Sequence, residues 1–126
     1  MEDRYLFKAK DCNSIWRTGL LIGLQEGRCA IEEKDGSKWA CNSKTICQCT
    51  GLKDKNGNLI WENDVVEAWS QGRCAIGKIK HRIDGTWIMY PAWQNGEMWY
   101  LLPNDDGITT VEVIGNIFDN PKLIHE

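Results

Sequence analysis

Several things are scarce in this chain of 126 residues. Histidine occurs twice, at His81 and His125, too few and too scattered for a histidine-built metal site. No stretch approaches the ~20 apolar residues that a membrane helix needs. The opening Met1-Glu2-Asp3-Arg4 is charged with no apolar run behind it, so we expect no signal peptide, no membrane partner and a cytoplasmic protein. Neither sign of charge dominates. A net charge of −3 argues against indiscriminate DNA binding, because phosphate contacts need a concentrated positive face. It leaves room for a local basic strip. G-x-S-x-G, H-E-x-x-H, the P-loop and the dinucleotide fingerprint are all missing, so we expect no catalytic residues, no cofactor and no enzyme. A cysteine nucleophile would want a histidine partner, and His81 is the one plausible candidate.

What is present points to one soluble β domain. Hydrophobic content of 42% and charged content of 26% exclude disorder, and the length suits a single domain with its own core. The six cysteines, Cys12, Cys29, Cys41, Cys47, Cys49 and Cys74, contain no C-x-x-C pair. In a reducing cytosol they read as buried or edge thiols. Zinc ligation by Cys41, Cys47 and Cys49 is the competing reading.

Turn signals are dense. Asp35-Gly36, Asn56-Gly57, Asp84-Gly85, Asn95-Gly96 and Asp106-Gly107 predict type I′ hairpin turns, with Glu26-Gly27 and Gln71-Gly72 as weaker ones. Strands are expected over 5–9, 19–24, 28–32, 38–41, 45–50, 64–69, 73–83, 86–91, 98–102 and 109–114. No helix of three turns is found, and one short helical turn is expected after Asn116 and before Pro121, since proline cannot continue a helix interior. The reading is mainly β: a small barrel-like or meander domain with two related hairpin units and little helix. One pentapeptide carries the echo. Gly27-Arg28-Cys29-Ala30-Ile31 recurs letter for letter as Gly72-Arg73-Cys74-Ala75-Ile76. We take 1–126 as one domain with internal units 5–49 and 50–118 and a short tail 119–126.

The segment Thr50-Gly51-Leu52-Lys53-Asp54-Lys55-Asn56-Gly57-Asn58-Leu59-Ile60-Trp61-Glu62-Asn63-Asp64-Val65-Val66 closely resembles the signature of the YopX family, small proteins of phages and prophages. The block Val111-Glu112-Val113-Ile114-Gly115-Asn116-Ile117-Phe118-Asp119-Asn120-Pro121 resembles its closing block. One departure is Asn63, where the family usually carries Gly; Asn is the next best residue for the left-handed region. The resemblance implies a mainly β domain, phage or prophage origin and self-association. It supplies no catalytic residues. Gly51, Asp54, Gly57, Ile60, Glu62, Asp64, Gly115 and Asn116 read as structural; a carboxylate metal set of Asp54, Glu62 and Asp64 is the competing reading.

Two surfaces remain. Lys78, Lys80 and Arg82 would project from one strand face, with Trp87 and Tyr90 just across a turn, which suits single-stranded nucleic acid or RNA. Seven tryptophans are more than a core of this size needs, and Trp93 and Trp99, with Leu123 and Ile124 of the tail, are candidates for a protein interface. We expect a non-enzymatic, self-associating interaction protein, a homo-oligomer engaging a host or phage partner. A nucleic-acid-binding β module is the alternative.

Overall fold

The computed structural model describes residues 5–70, 73–82, 85–90 and 99–123. Trp93, Ile124, His125 and the Asn95-Gly96 turn lie outside them. The described residues form eleven strands and short 3₁₀ turns, and no helix among them is long and apolar enough to cross a membrane. The chain divides into two compact units, residues 1–49 and 50–126.

The first unit holds β1 (Phe7–Lys10), β2 (Trp16–Gln25), β3 (Arg28–Glu32), β4 (Lys38–Asn42) and the start of β5 (Cys47–Lys53). The strands lie in the order β4-β3-β2-β1-β5, paired antiparallel. Alternate residues share a face, and the register brings Ala9, Cys29, Ile31 and Cys41 together as the core, with Phe7, Leu21, Trp39 and Ile46 against them. Apolar side chains at period two therefore decide which face is inside. The ladder between β1 and β2 stops at Gly19, where a Cβ would collide with the Glu32 carbonyl. Beyond Gly19, β2 pairs with β3 alone among the described residues, and a bulge at Ile22 interrupts that register.

The second unit holds the rest of β5, then β6 (Leu59–Trp61), β7 (Asp64–Ser70), β8 (Arg73–His81), β9 (Trp87–Tyr90), β10 (Trp99–Tyr100) and β11 (Glu112–Asn116). Its five-stranded sheet runs β10-β9-β8-β7-β11. Ile60, Val66, Ala68, Ala75, Ile79, Met89, Leu101 and Val111 form its core. The sheets are mainly β meanders as expected, but neither closes into a barrel. In the second unit β10 and β11 remain at opposite edges, and in the first a lone bridge, Asp11 to Cys41, links the end of β1 to β4.

At Asp35-Gly36, Asn56-Gly57 and Asp106-Gly107 the turns are not the mirror-image type I′ that Asn/Asp-Gly suggests. A type I′ turn needs positive φ at both central residues, and among the described residues only Ser14 and Asn63 combine positive φ with a side chain. Instead one five-residue loop recurs. In 33–37, 54–58, 82–86 and 104–108 the fourth residue, a glycine, donates its N–H to the carbonyl of the first, and the first donates to the carbonyl of the fifth. In the fully described loops 33–37, 54–58 and 104–108 only the glycine is left-handed, and with Gly85 these glycines lie at φ between 78° and 91°. The loop 11–15 repeats this pattern with Ser14 (φ 61°) in the glycine's place. This is a type I turn followed by a left-handed residue, the usual three-residue hairpin connection. Where the first residue is Asp11, Asp54 or Asn104, its side-chain oxygen accepts from the third and fifth N–H groups and locks the loop.

Candidate functional site

The signature segment is a structural clamp. Its Asp54 is fully buried, and its carboxylate accepts three backbone N–H bonds: Oδ1 from Asn56 and Asn58 at 2.9 Å each, Oδ2 from Val113 at 3.1 Å. Burial alone would push this carboxyl up. The N–H donors of Val113, Asn58 and Asn56 outweigh it and hold the carboxyl below its ordinary value. Backbone bonds continue the clamp, with Lys53 bonded to Gly107 and Thr109, and Lys55 to Val111. Thr50 Oγ1 donates to the Ile60 carbonyl, tying β5 to β6. Ile60 is buried, while Leu59 and Trp61 are half-buried, as the strand alternation predicts.

Asn63 forms the second corner. Its φ of 71° lies in the left-handed region that Asn tolerates, so the departure from Gly keeps the turn. It donates to the Ile79 carbonyl and accepts from Ile117 N–H. Asp64 Oδ2 accepts the Trp61 N–H at 2.8 Å across the corner. The first block thus grips the closing block at Asp54 and again at Asn63. In the closing block a Cβ on Gly115 would lie 2.5 Å from Asn120 Oδ1 and 2.9 Å from Leu123 Cδ1. Asn116 Oδ1 accepts from both Phe118 and Asp119 N–H. The helical turn lies at Pro121–Leu123 rather than before Pro121, because proline is favoured at the first helical position, where its missing N–H is not needed. Leu123 is half-buried and folds back toward Gly115 of its own chain. Gly51 and Gly57 both sit at positive φ.

No three His, Cys, Asp or Glu side chains among the described residues are placed to hold a metal. Asp54 and Asp64 spend oxygens on backbone donors, and Glu62 is half-buried. Cys41, Cys47 and Cys49 are buried. Burial, then the facing Cys29, pushes the Cys41 thiol up to about 11, which keeps it neutral and a poor ligand or nucleophile at neutral pH.

The basic strand behaves as its alternation predicts, with one division. Lys78 and Lys80 lie on one face of β8 and Ile79 on the core face. Opposite Lys78 stands Tyr90, and opposite Lys80 stands Ile88, whose other neighbour is Tyr100 of β10. Lys80 Nζ sits 5.5 Å from the Tyr90 ring and the Arg82 guanidinium 5.5 Å from the Tyr100 ring. Arg82 also donates to the Tyr100 hydroxyl. Trp87 is on the other side: it packs against the core and stacks on His81 with ring centroids 4.1 Å apart. Trp99 is likewise half-buried against the core. Among the described residues the tryptophan displayed to solvent is Trp69, 61% exposed on β7. Its signal was its place opposite Cys74 in the repeated hairpin, out of phase with the core positions Val66 and Ala68. Tyr100 was the other residue the basic-strand reading missed.

A family model described as YopX protein matches residues 6–125. No curated protein matches the chain.

Proposed function

The chain belongs to the YopX family, and from that premise we propose that it is a non-enzymatic protein-interaction module that associates with a second copy of itself. The observation that carries this reading is the open stretch of β2. Leu20, Leu21, Ile22, Gly23, Leu24 and Gln25 carry no charge, and no described residue of β1 pairs with this edge beyond Gly19. Leu20, Ile22 and Leu24 are exposed, Leu24 by 66%. An uncharged strand edge with no partner strand among the described residues is a template for another strand. The same segment of a second copy, added antiparallel about a two-fold axis, sets no like charges opposite one another. The bulge at Ile22 bends this edge, which selects a partner of matching twist over indiscriminate strands. A groove at the mouth of the open edge, lined by Leu6, Thr18, Gly19, Leu20, Glu32, Glu33 and Lys34, gives room for the incoming strand to enter.

The non-enzymatic part of the reading is supported by the carboxylates, since Asp54 and Asp64 are engaged with backbone donors. In this reading the protein is encoded by a phage or prophage, works in the cytoplasm of the bacterial host, and uses the same edge or the oligomer's remaining surface to engage a host or phage protein. Light scattering on size-exclusion chromatography tests it. The expected result is a dimer at micromolar concentration that Leu24→Lys converts to monomer. A wild-type chain that stays monomeric to several hundred micromolar contradicts the reading.

A further inference from the structure

We infer that the face of β8, β9 and β10 in the second unit binds single-stranded nucleic acid, a site independent of the self-association edge in the first unit. Elementary chemistry asks two things of such a surface: cations that follow a phosphate backbone, and aromatic faces on which bases stack. Both are here at interleaved register positions. Lys78 pairs across with Tyr90, and Lys80 across with Ile88, beside Tyr100. Arg82 continues the row of cations past the end of β8, with its guanidinium over Tyr100.

The charge is concentrated. At the register positions that β8, β9 and β10 present on this face, the described residues are Cys74, Ile76, Lys78, Lys80, Ile88, Tyr90 and Tyr100. None is a carboxylate, in a chain whose net charge is −3. Among the described residues neither Lys78 nor Lys80 has a salt bridge. Glu67 of β7, opposite Ile76, borders this face, and Lys78 and Lys80, with no salt bridge among the described residues, remain complementary to a polyanion.

The aromatics are accessible. Tyr90 is 39% and Tyr100 47% exposed. Each already carries a cation against its ring, so a base that slides onto the tyrosine meets a positive group beside it, and a guanidinium can stack on the base's other face. Side chains on a pleated strand repeat about every 6.6 Å along one face. That spacing matches an extended single strand with its bases splayed. The rigid grooves of a duplex offer neither free base faces nor this reach, which is why single strands are the occupant.

Fluorescence anisotropy of the full chain with labelled 20-mer single-stranded DNA and RNA, titrated with salt, tests the site. The same DNA as a duplex and heparin serve as competitors. Expected are binding to the single strands, competition by unlabelled single strand at least tenfold better than by duplex or heparin, and weakening as salt rises. Substituting Lys78→Ala and Lys80→Ala together should flatten the slope of log K against log salt by about 0.7 for each lysine lost. Tyr90→Ala and Tyr100→Ala should each weaken binding about tenfold while leaving the salt slope unchanged. These positions are at the surface, and unchanged thermal melts of the variants confirm that the fold is intact. Three results would overturn the assignment: no binding at low salt, heparin competing as well as single strands, or tyrosine variants that bind as the wild type does.

Discussion

Cys-Ala-Ile occurs twice, at Cys29-Ala30-Ile31 and at Cys74-Ala75-Ile76, each time just past a hairpin with the same pairing: Gln25 faces Arg28 and Ser70 faces Arg73. In the first unit Cys29 and Ile31 are the core residues. In the second, Ala75 is in the core, Cys74 is half-buried and Ile76 is 39% exposed. The same letters bury opposite faces. The partner strand decides it. β7 runs in unbroken register against β8 and offers Val66 and Ala68 to the core. β2 carries a bulge at Ile22, so Leu21 stands opposite Ile31 and packs against the core of Ile31 and Cys29. One extra residue in a strand changes which of its side chains share the buried face of its neighbour.

The two units also share their loop, and the largest expected effect separates those copies. Asp11 and Asp54 both cap a five-residue loop, and both carboxyls lie below their ordinary value. For Asp11 the leading cause is the Ile15 N–H bond, and burial opposes it; Arg17 adds to the lowering. Asp11 binds Arg17 within its own hairpin, whereas Asp54 also holds a strand outside its hairpin, β11, through Val113. Asp54→Ala leaves three backbone donors without their acceptor, two of them in the loop and one on β11, and should cost roughly 3–5 kcal/mol in urea unfolding. Asp11→Ala should cost less. The sign of the pH dependence follows from the lowered folded value. The Asp54 carboxylate stabilises the fold fully above the unfolded value near 3.8, and this is lost as pH falls through the lower folded value. Asp54→Asn should therefore lose most of its stability deficit in acid. A deficit that stays constant down to pH 2 would count against the clamp.

The inverted faces predict the next effect. Ile31, with no exposed surface, should cost about 2–4 kcal/mol when changed to Ala. Ile76→Ala should stay within about 0.5 kcal/mol. Equal losses in paired denaturation curves would break the comparison. The smallest effect is at Ser14, the residue that stands where four other loops have glycine. Ser14→Gly relieves its left-handed φ and should raise stability by about 0.5 kcal/mol, read as a small upward shift in Tm.

These cases also show what the sequence carried. Asp-Gly and Asn-Gly marked the loops because a left-handed glycine is required there, but the dipeptide does not say whether its first residue is left-handed too, and at Asp35, Asn56 and Asp106 it is not. The strands followed from alternation, with ends displaced: β8 ends at His81, and the strand expected over 109–114 runs Glu112–Asn116. Lys78 and Lys80 were placed on one face by period alone. Trp87 was misplaced beside them because a turn separates it from β8, and register across a turn depends on loop length. The Ile22 bulge leaves no mark in a run of Leu, Ile and Gly, so the open edge and the inverted repeat were not legible. Asn63 was: its left-handed geometry follows from what side chains tolerate positive φ.

The most direct test of self-association is hydrogen exchange of the amides from Leu20 to Gln25, measured at low and high protein concentration. The account predicts that protection of this segment rises with concentration while the amides of the second unit's central strands do not change. Protection at 20–25 that is the same at every concentration would contradict it.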